Sequence, residues 1–410
     1  MLNGRTRTGL RAAAVALAAA TVVGVPAPVA GAAGADGAAP AGAVATARTD
    51  RAALDRALGD VVAVGGASAA LGRVVQDGRT VWQGGAGKAD LDSGAAARAD
   101  GRFRIGSTTK TFVATVALQL VAERRVQLDA PIERYLPGAV PNGGNITVRQ
   151  LLNHTSGLYN YTGDPRLGLS EEALPQWVAT GRWTSYRPQE LLTIANEHPP
   201  EFPPGTAWSY SNTNYIVVGL LIEKITGRSW QQEVERRVIR PLGLRDTTMP
   251  ETSTAVPGPH AKGYLRLGDT RADVTRLNPS MAGAAGAGIS TTADLARFNA
   301  ALLGGRLLRP AELTEMKTPS PQALAAGLAY GLGLYRSTLP CGDFWGHDGG
   351  IPGYSTLLMG DATGRRQISS SVNPLDGTAE TGRVVGALTA TMACGPGTPA
   401  AAAAPGVKLG

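Results

Sequence analysis

The chain is 410 residues long, 43% hydrophobic and 17% charged, with a formal net charge of +7. This is the composition of an ordinary globular protein with enough apolar residues for a sizeable core, and it excludes a low-complexity or collagen-like chain. The basic excess is spread out, with no cluster of cations interleaved with aromatics, which excludes a nucleic-acid binder.

At the start, Arg5, Arg7 and Arg11 precede an apolar run at 12–25 and small residues up to 32. That layout predicts a signal peptide over 1–32 and a secreted mature protein; an uncleaved Ala-rich leader is the alternative. No later stretch reaches the roughly 18 apolar residues of a membrane span. Residues 33–47 and 395–410, rich in Ala, Gly and Pro, read as a flexible linker and a flexible tail.

From residue 51, LDRALGDVV predicts a helix, and ASAALGRVVQDG with RTVWQGGAGKAD predicts two strands around an Asp77-Gly78 turn. FRIGSTTKTFVATVALQLVAERR follows, a core helix beginning at or just before Ser107. Between about 128 and 280 the patterns are short, proline-rich and helical, including TVRQLLNHTSGL and NYIVVGLLIEKITG. Next, STTADLARFNAALLGG places Thr291 at an N-cap with Asp294 three residues on, a capping-box-like start. YGLGLYRS, FWGHDGG, GYSTLLMGD and RRQISSSVN read as antiparallel strands, and ETGRVVGALTATMA as a closing helix. The expected fold class is therefore α+β: an antiparallel sheet flanked by helices, formed by 48–128 and 280–394, with an inserted all-helical domain at 129–279. Cys341 and Cys394 form a disulfide by default if the protein is exported, with two buried thiols as the alternative.

Three segments carry candidate chemistry. In Ser107-Thr108-Thr109-Lys110 a hydroxyl and an amine stand at i and i+3, on one helix face. Serine is a poor nucleophile until a neighbour takes its proton, and a desolvated lysine can be that neighbour. Helix N–H groups at this end suit a tetrahedral oxyanion. In FPPGTAWSYSNTNY, Tyr210 and Asn212 stand just before a helix, where a phenol can shuttle a proton and an amide can orient a carbonyl; a packed aromatic and a cap are the plainer reading. His347-Asp348-Gly349-Gly350 lies between strand-like segments, with Gly350 a candidate second oxyanion donor and a simple turn the plainer reading.

Ser-x-x-Lys, then Tyr-x-Asn, then His-x-Gly in this order resembles the penicillin-recognising serine hydrolases, in particular the class C β-lactamase and secreted D-alanyl-D-alanine carboxypeptidase branch. The likeness spans roughly 50–395. It implies Ser107 as the acylated residue, Lys110 as its base, Tyr210 as proton shuttle, and Asn212 as a binder of the substrate amide. It further implies that His347 replaces the third-motif lysine, that the N–H groups of Ser107 and Gly350 form the oxyanion hole, and that His154 and Ser156 of LLNHTSGL are structural. No metal or cofactor is implied. The third motif departs from the pattern: Asp348 and Gly350 stand where hydroxyl residues often hold a substrate carboxylate, so Arg336, Ser355 or Thr356 is expected to compensate. Histidine in that motif is also expected to bend the rate profile between about pH 5 and 8. The expected activity is a monomeric D-alanyl-D-alanine carboxypeptidase acting on cell-wall stem peptides and acylated by β-lactams. A related β-lactamase, esterase or D-aminopeptidase is the alternative, and a non-catalytic ligand-binding relative the third reading.

Overall fold

The computed structural model describes residues 49–399, so the expected leader and linker, and most of the tail, lie outside the described residues. Asp77 and Gly78 both take positive φ, 51° and 75°. A two-residue hairpin turn needs that geometry because its twist matches the twist of the strands it joins. They connect β1 (Ala67–Gln76) to β2 (Arg79–Gly87), as expected from the sequence. The other strands of the main sheet come from the far end of the chain: β3 (Ala329–Tyr330), β4 (Tyr335–Leu339), β5 (Gly342–Ile351), β6 (Tyr354–Asp361) and β7 (Arg366–Pro374). Their order is β2-β1-β7-β6-β5-β4-β3, every neighbour antiparallel. Pairing β1 with β7 joins the two chain ends into one sheet around everything between them.

Five helices position the rest: α1 (Arg51–Ala63), α2 (Thr109–Ala122), α3 (Asn212–Thr226), α4 (Thr292–Leu303) and α5 (Ala379–Cys394). On one sheet face α1 and α5 pack together, burying Leu54, Leu58, Trp82, Leu388 and Met392. On the other face α4 lies on β6 and β7, α2 approaches β5, and α3 packs against α2. The Phe112 and Phe298 rings stack at 3.7 Å between α2 and α4. Every residue of α2 from Thr109 to Leu118 is buried, which is why its sequence shows little amphipathic alternation.

Two expectations need correction. The segment 129–279 is not wholly helical: Tyr264–Leu267 and Thr270–Asp273 pair as a hairpin turning at Gly268 (φ 59°) and Asp269. At four residues each, these strands are too short to show a clear period of two. Thr291 does cap α4 by accepting from the Asp294 N–H at 3.2 Å. The Asp294 carboxylate, however, accepts from the Asp246 N–H and the Thr247 hydroxyl instead of closing a capping box.

Cys341 and Cys394 are joined, fixing the end of α5 to the turn between β4 and β5 across 53 positions. Closing a loop of that length stabilises by about 4 kcal/mol in the chain-entropy account. A Cys341→Ser/Cys394→Ser double variant is expected to lose stability of that order in urea melts while its folded fraction keeps wild-type kcat. Unchanged stability would show that the bridge constrains nothing the fold does not already hold.

Candidate active site

The nucleophile's position is set by backbone contact. Gly106–Thr108 form a 3-10 turn that runs into α2, and Gly106 takes a positive φ of 47°. A Cβ on Gly106 would stand 2.5 Å from the Gly350 carbonyl oxygen and 2.9 Å from its nitrogen; one on Gly349 would stand 2.0 Å from the Ile105 carbonyl oxygen and 3.0 Å from the Ser107 nitrogen. Only glycine allows the turn and β5 to meet this closely. The contact brings together the backbones carrying the Ser107 and Gly350 N–H groups, as an oxyanion hole requires.

Ser107 is 8% exposed and Lys110 fully buried. Lys110 Nζ lies 2.7 Å from Asn212 Oδ1, 2.8 Å from the Ala285 carbonyl oxygen and 3.1 Å from Ser107 Oγ. Two of these partners only accept. A neutral amine has two N–H donors and one lone pair, so it satisfies Asn212 and Ala285 and keeps its lone pair for the Ser107 hydroxyl. Burial pushes the Lys110 pKa well below its ordinary value, with the charge of Asp348 opposing.

The Tyr210 hydroxyl is buried and has no hydrogen-bond partner of normal geometry among the described residues, although it faces Ser107. Lys110 Nζ stands 4.8 Å from the Tyr210 ring centroid. Burial raises the Tyr210 pKa well above its ordinary value, with the Ser107 contact opposing. Desolvation thus favours the neutral form of both residues, making lysine the resting base and the phenol a proton carrier.

Asn212 was expected to bind substrate, but its amide is engaged inside the protein: Oδ1 accepts from Lys110 and Nδ2 donates to Thr162 at 3.2 Å. It orients the base. Ala285 and Thr162 carry no sequence signal for these roles, because a backbone carbonyl and a lone threonine have no motif.

His347, Asp348, Gly349 and Gly350 lie inside β5 and not in a turn. His347 is fully buried, with Nε2 3.0 Å from Tyr330 Oη and Nδ1 bonded to the Asp348 carbonyl oxygen. Burial lowers its pKa to about 3, which corrects the expectation of a cation beside the nucleophile titrating near neutrality. Asp348 alternates to the opposite sheet face from His347 and Gly349, a quarter exposed, with its pKa pushed up to about 6 by burial. Arg336, the expected carboxylate binder, donates to Asp343 at 3.3 Å and lies over Trp345, at the end of β5 away from Gly349. Thr356 donates to the Arg104 carbonyl oxygen, while Ser355 is exposed opposite Gly350.

A serine beside a neutral lysine, with a phenol proton carrier and paired backbone donors, defines a serine acyl-transfer hydrolase. A family model described as Beta-lactamase matches residues 54–391, and the chain belongs to that family. A D-stereospecific amidohydrolase from Streptomyces sp. is similar at 41% identity and TM-score 0.75, over 84% of this chain and 99% of that one. A D-amino acid amidase from Ochrobactrum anthropi is similar at 28% and TM-score 0.70, over 82% and 97%. Penicillin-binding protein 4 of Amycolatopsis lactamdurans is 30% identical over 65% of this chain and 70% of that protein. The chain spans between 45% and 70% of the length of the first curated relatives it matches. Among the described residues no helix is long and apolar enough to cross a membrane.

Lys110→Arg tests the neutral base. Arginine keeps the charge but cannot give up its proton, so kcat for an aryl ester is expected to fall by about 10³. In the wild type the lowered Lys110 pKa means activity is present above that pKa and lost as pH falls through it, with no limb near the ordinary lysine value. An arginine variant with wild-type kcat would show that positive charge, not proton transfer, is what the position supplies.

Proposed function

We propose that this protein is a secreted, D-stereospecific amidohydrolase that cleaves amides of D-amino acids through an acyl-enzyme on Ser107. Ser107 Oγ attacks the amide carbonyl and its proton passes to Lys110 Nζ, while the oxyanion settles on the Ser107 and Gly350 N–H groups. Tyr210 carries a proton from Lys110 to the leaving nitrogen, and the C–N bond breaks. Water then repeats the sequence on the ester, returning the acid and free Ser107.

The observation that carries this choice of substrate is the state of the third motif. His347 is neutral and enclosed, and Arg336 is held by Asp343, so neither cation offered by the sequence stands ready for a leaving group bearing a free carboxylate. An amide leaving group carries no such charge. The similarity to the Streptomyces and Ochrobactrum enzymes supports the same choice and its D-stereochemistry. D-alanyl-D-alanine carboxypeptidase activity, the reading first suggested by the motifs, is retained as the second because penicillin-binding relatives share the chain's pattern.

Steady-state hydrolysis of D-phenylalanine amide, its L-enantiomer and an N-acyl D-alanyl-D-alanine peptide separates the two. The expected order places the D-amide about 100-fold or more above both others in kcat/KM, with all activity absent in Ser107→Ala. A peptide cleaved faster than the amide would overturn the amidohydrolase reading in favour of the carboxypeptidase.

A further inference from the structure

Behind the nucleophile lies a hydrogen-bonded chain that joins the second motif to the third without passing through Ser107. His154, fully buried and at a positive φ of 63°, receives the Ser211 N–H at 3.3 Å on Nδ1. Asn214 Nδ2 also reaches that nitrogen, at 3.1 Å, and the other side of the Asn214 amide accepts from the Ser156 hydroxyl. With two donors aimed at it, Nδ1 is an acceptor, so the His154 proton sits on Nε2 and points to Tyr330 Oη, 3.2 Å away. At the far end the Asp348 carbonyl only accepts, so His347 carries its proton on Nδ1 and leaves Nε2 bare. The Tyr330 hydroxyl, 3.0 Å from that nitrogen, supplies the proton it needs. Each end fixes its own tautomer independently, and one hydroxyl satisfies both.

We infer that Tyr330 is a positioning residue for the acyl transfer: its hydroxyl bridges His154 and His347, held in opposite neutral tautomers, and so ties Tyr210 and the Gly350 strand into one register. The Tyr210 ring lies 4.3 Å from the His154 ring, so turning His154 moves the proton carrier. His347 holds the carbonyl of Asp348, two residues before Gly350, so turning His347 moves an oxyanion donor. Adding a proton to either ring breaks the arrangement. On His154 it would face the Ser211 and Asn214 donors; on His347 it would face the Tyr330 hydroxyl hydrogen. The groups around the chain are Lys110, Asp348, Tyr210, Tyr215 and Tyr335. Of these, Lys110 repels a second charge, while Asp348, whose side chain turns to the other sheet face, keeps a carboxylate oxygen 3.7 Å from His347 Nδ1 and favours the proton on that nitrogen.

Nitrogen-15 spectra of histidine-labelled protein read the tautomers directly, whatever the substrate proves to be. Two of the four imidazoles are expected to be neutral and invariant from pH 5 to 8, one protonated on Nε2 and lost in His154→Asn, the other protonated on Nδ1 and lost in His347→Asn. Tyr330→Phe is expected to leave the Nδ1–H in place, shift the bare Nε2 resonance of the same ring as it loses its donor, and lower kcat for an aryl ester at least tenfold at unchanged KM. Two rings in the same tautomer, titration of either near its ordinary pKa, or a Tyr330→Phe enzyme with wild-type kcat would each overturn the inference.

Discussion

A lysine amine enclosed among packed helices, with no carboxylate within ion-pair distance of its Nζ among the described residues, must be neutral or be expelled. The fold enforces the first outcome. The partners of Lys110 are one amide oxygen, one backbone carbonyl and the serine hydroxyl, so the only group left to meet its lone pair is the one that must lose a proton. The same burial that unloads the lysine keeps Tyr210 protonated, and the two residues stand ready to pass a proton between nucleophile and leaving group.

The sheet supplies what the lysine cannot. Because β1 pairs with β7, the two ends of the chain build one sheet that includes the strand bearing Gly349 and Gly350, while the segment just before Ser107, Phe103–Arg104, pairs with Ile289–Ser290 in a separate two-stranded sheet. The turn at Gly106 then meets β5 backbone to backbone. A side chain at either glycine would collide with the facing backbone and push the oxyanion donors apart, so these positions act on geometry alone.

The parts of this site that are local in sequence were legible in it. Ser107 and Lys110 share a face because they are three apart at the start of a helix, and the Asp77-Gly78 turn and the α4 cap follow from equally short patterns. Tyr210 and Asn212 were legible as a motif, but the partner of Asn212 was not, since Thr162 and Lys110 reach it only after the inserted segment folds back. His347 shows the limit most clearly. Its motif looks like a solvent-facing turn, yet it is an interior stretch of β5, and enclosure by Tyr330 and its neighbours turns an expected pH sensor into a fixed neutral ring. Tyr330 itself, in a segment legible only as a strand, owes its role to strand pairing and burial, which no local pattern encodes.

The charge state of Lys110 is the claim on which the rest depends, and carbon-13 labelling of the lysine side chains measures it directly. At pH 8 one of the six Cε resonances should carry the shift of a neutral amine and vanish in Lys110→Arg. Six charged lysines at that pH would contradict the account and transfer the role of base to another group.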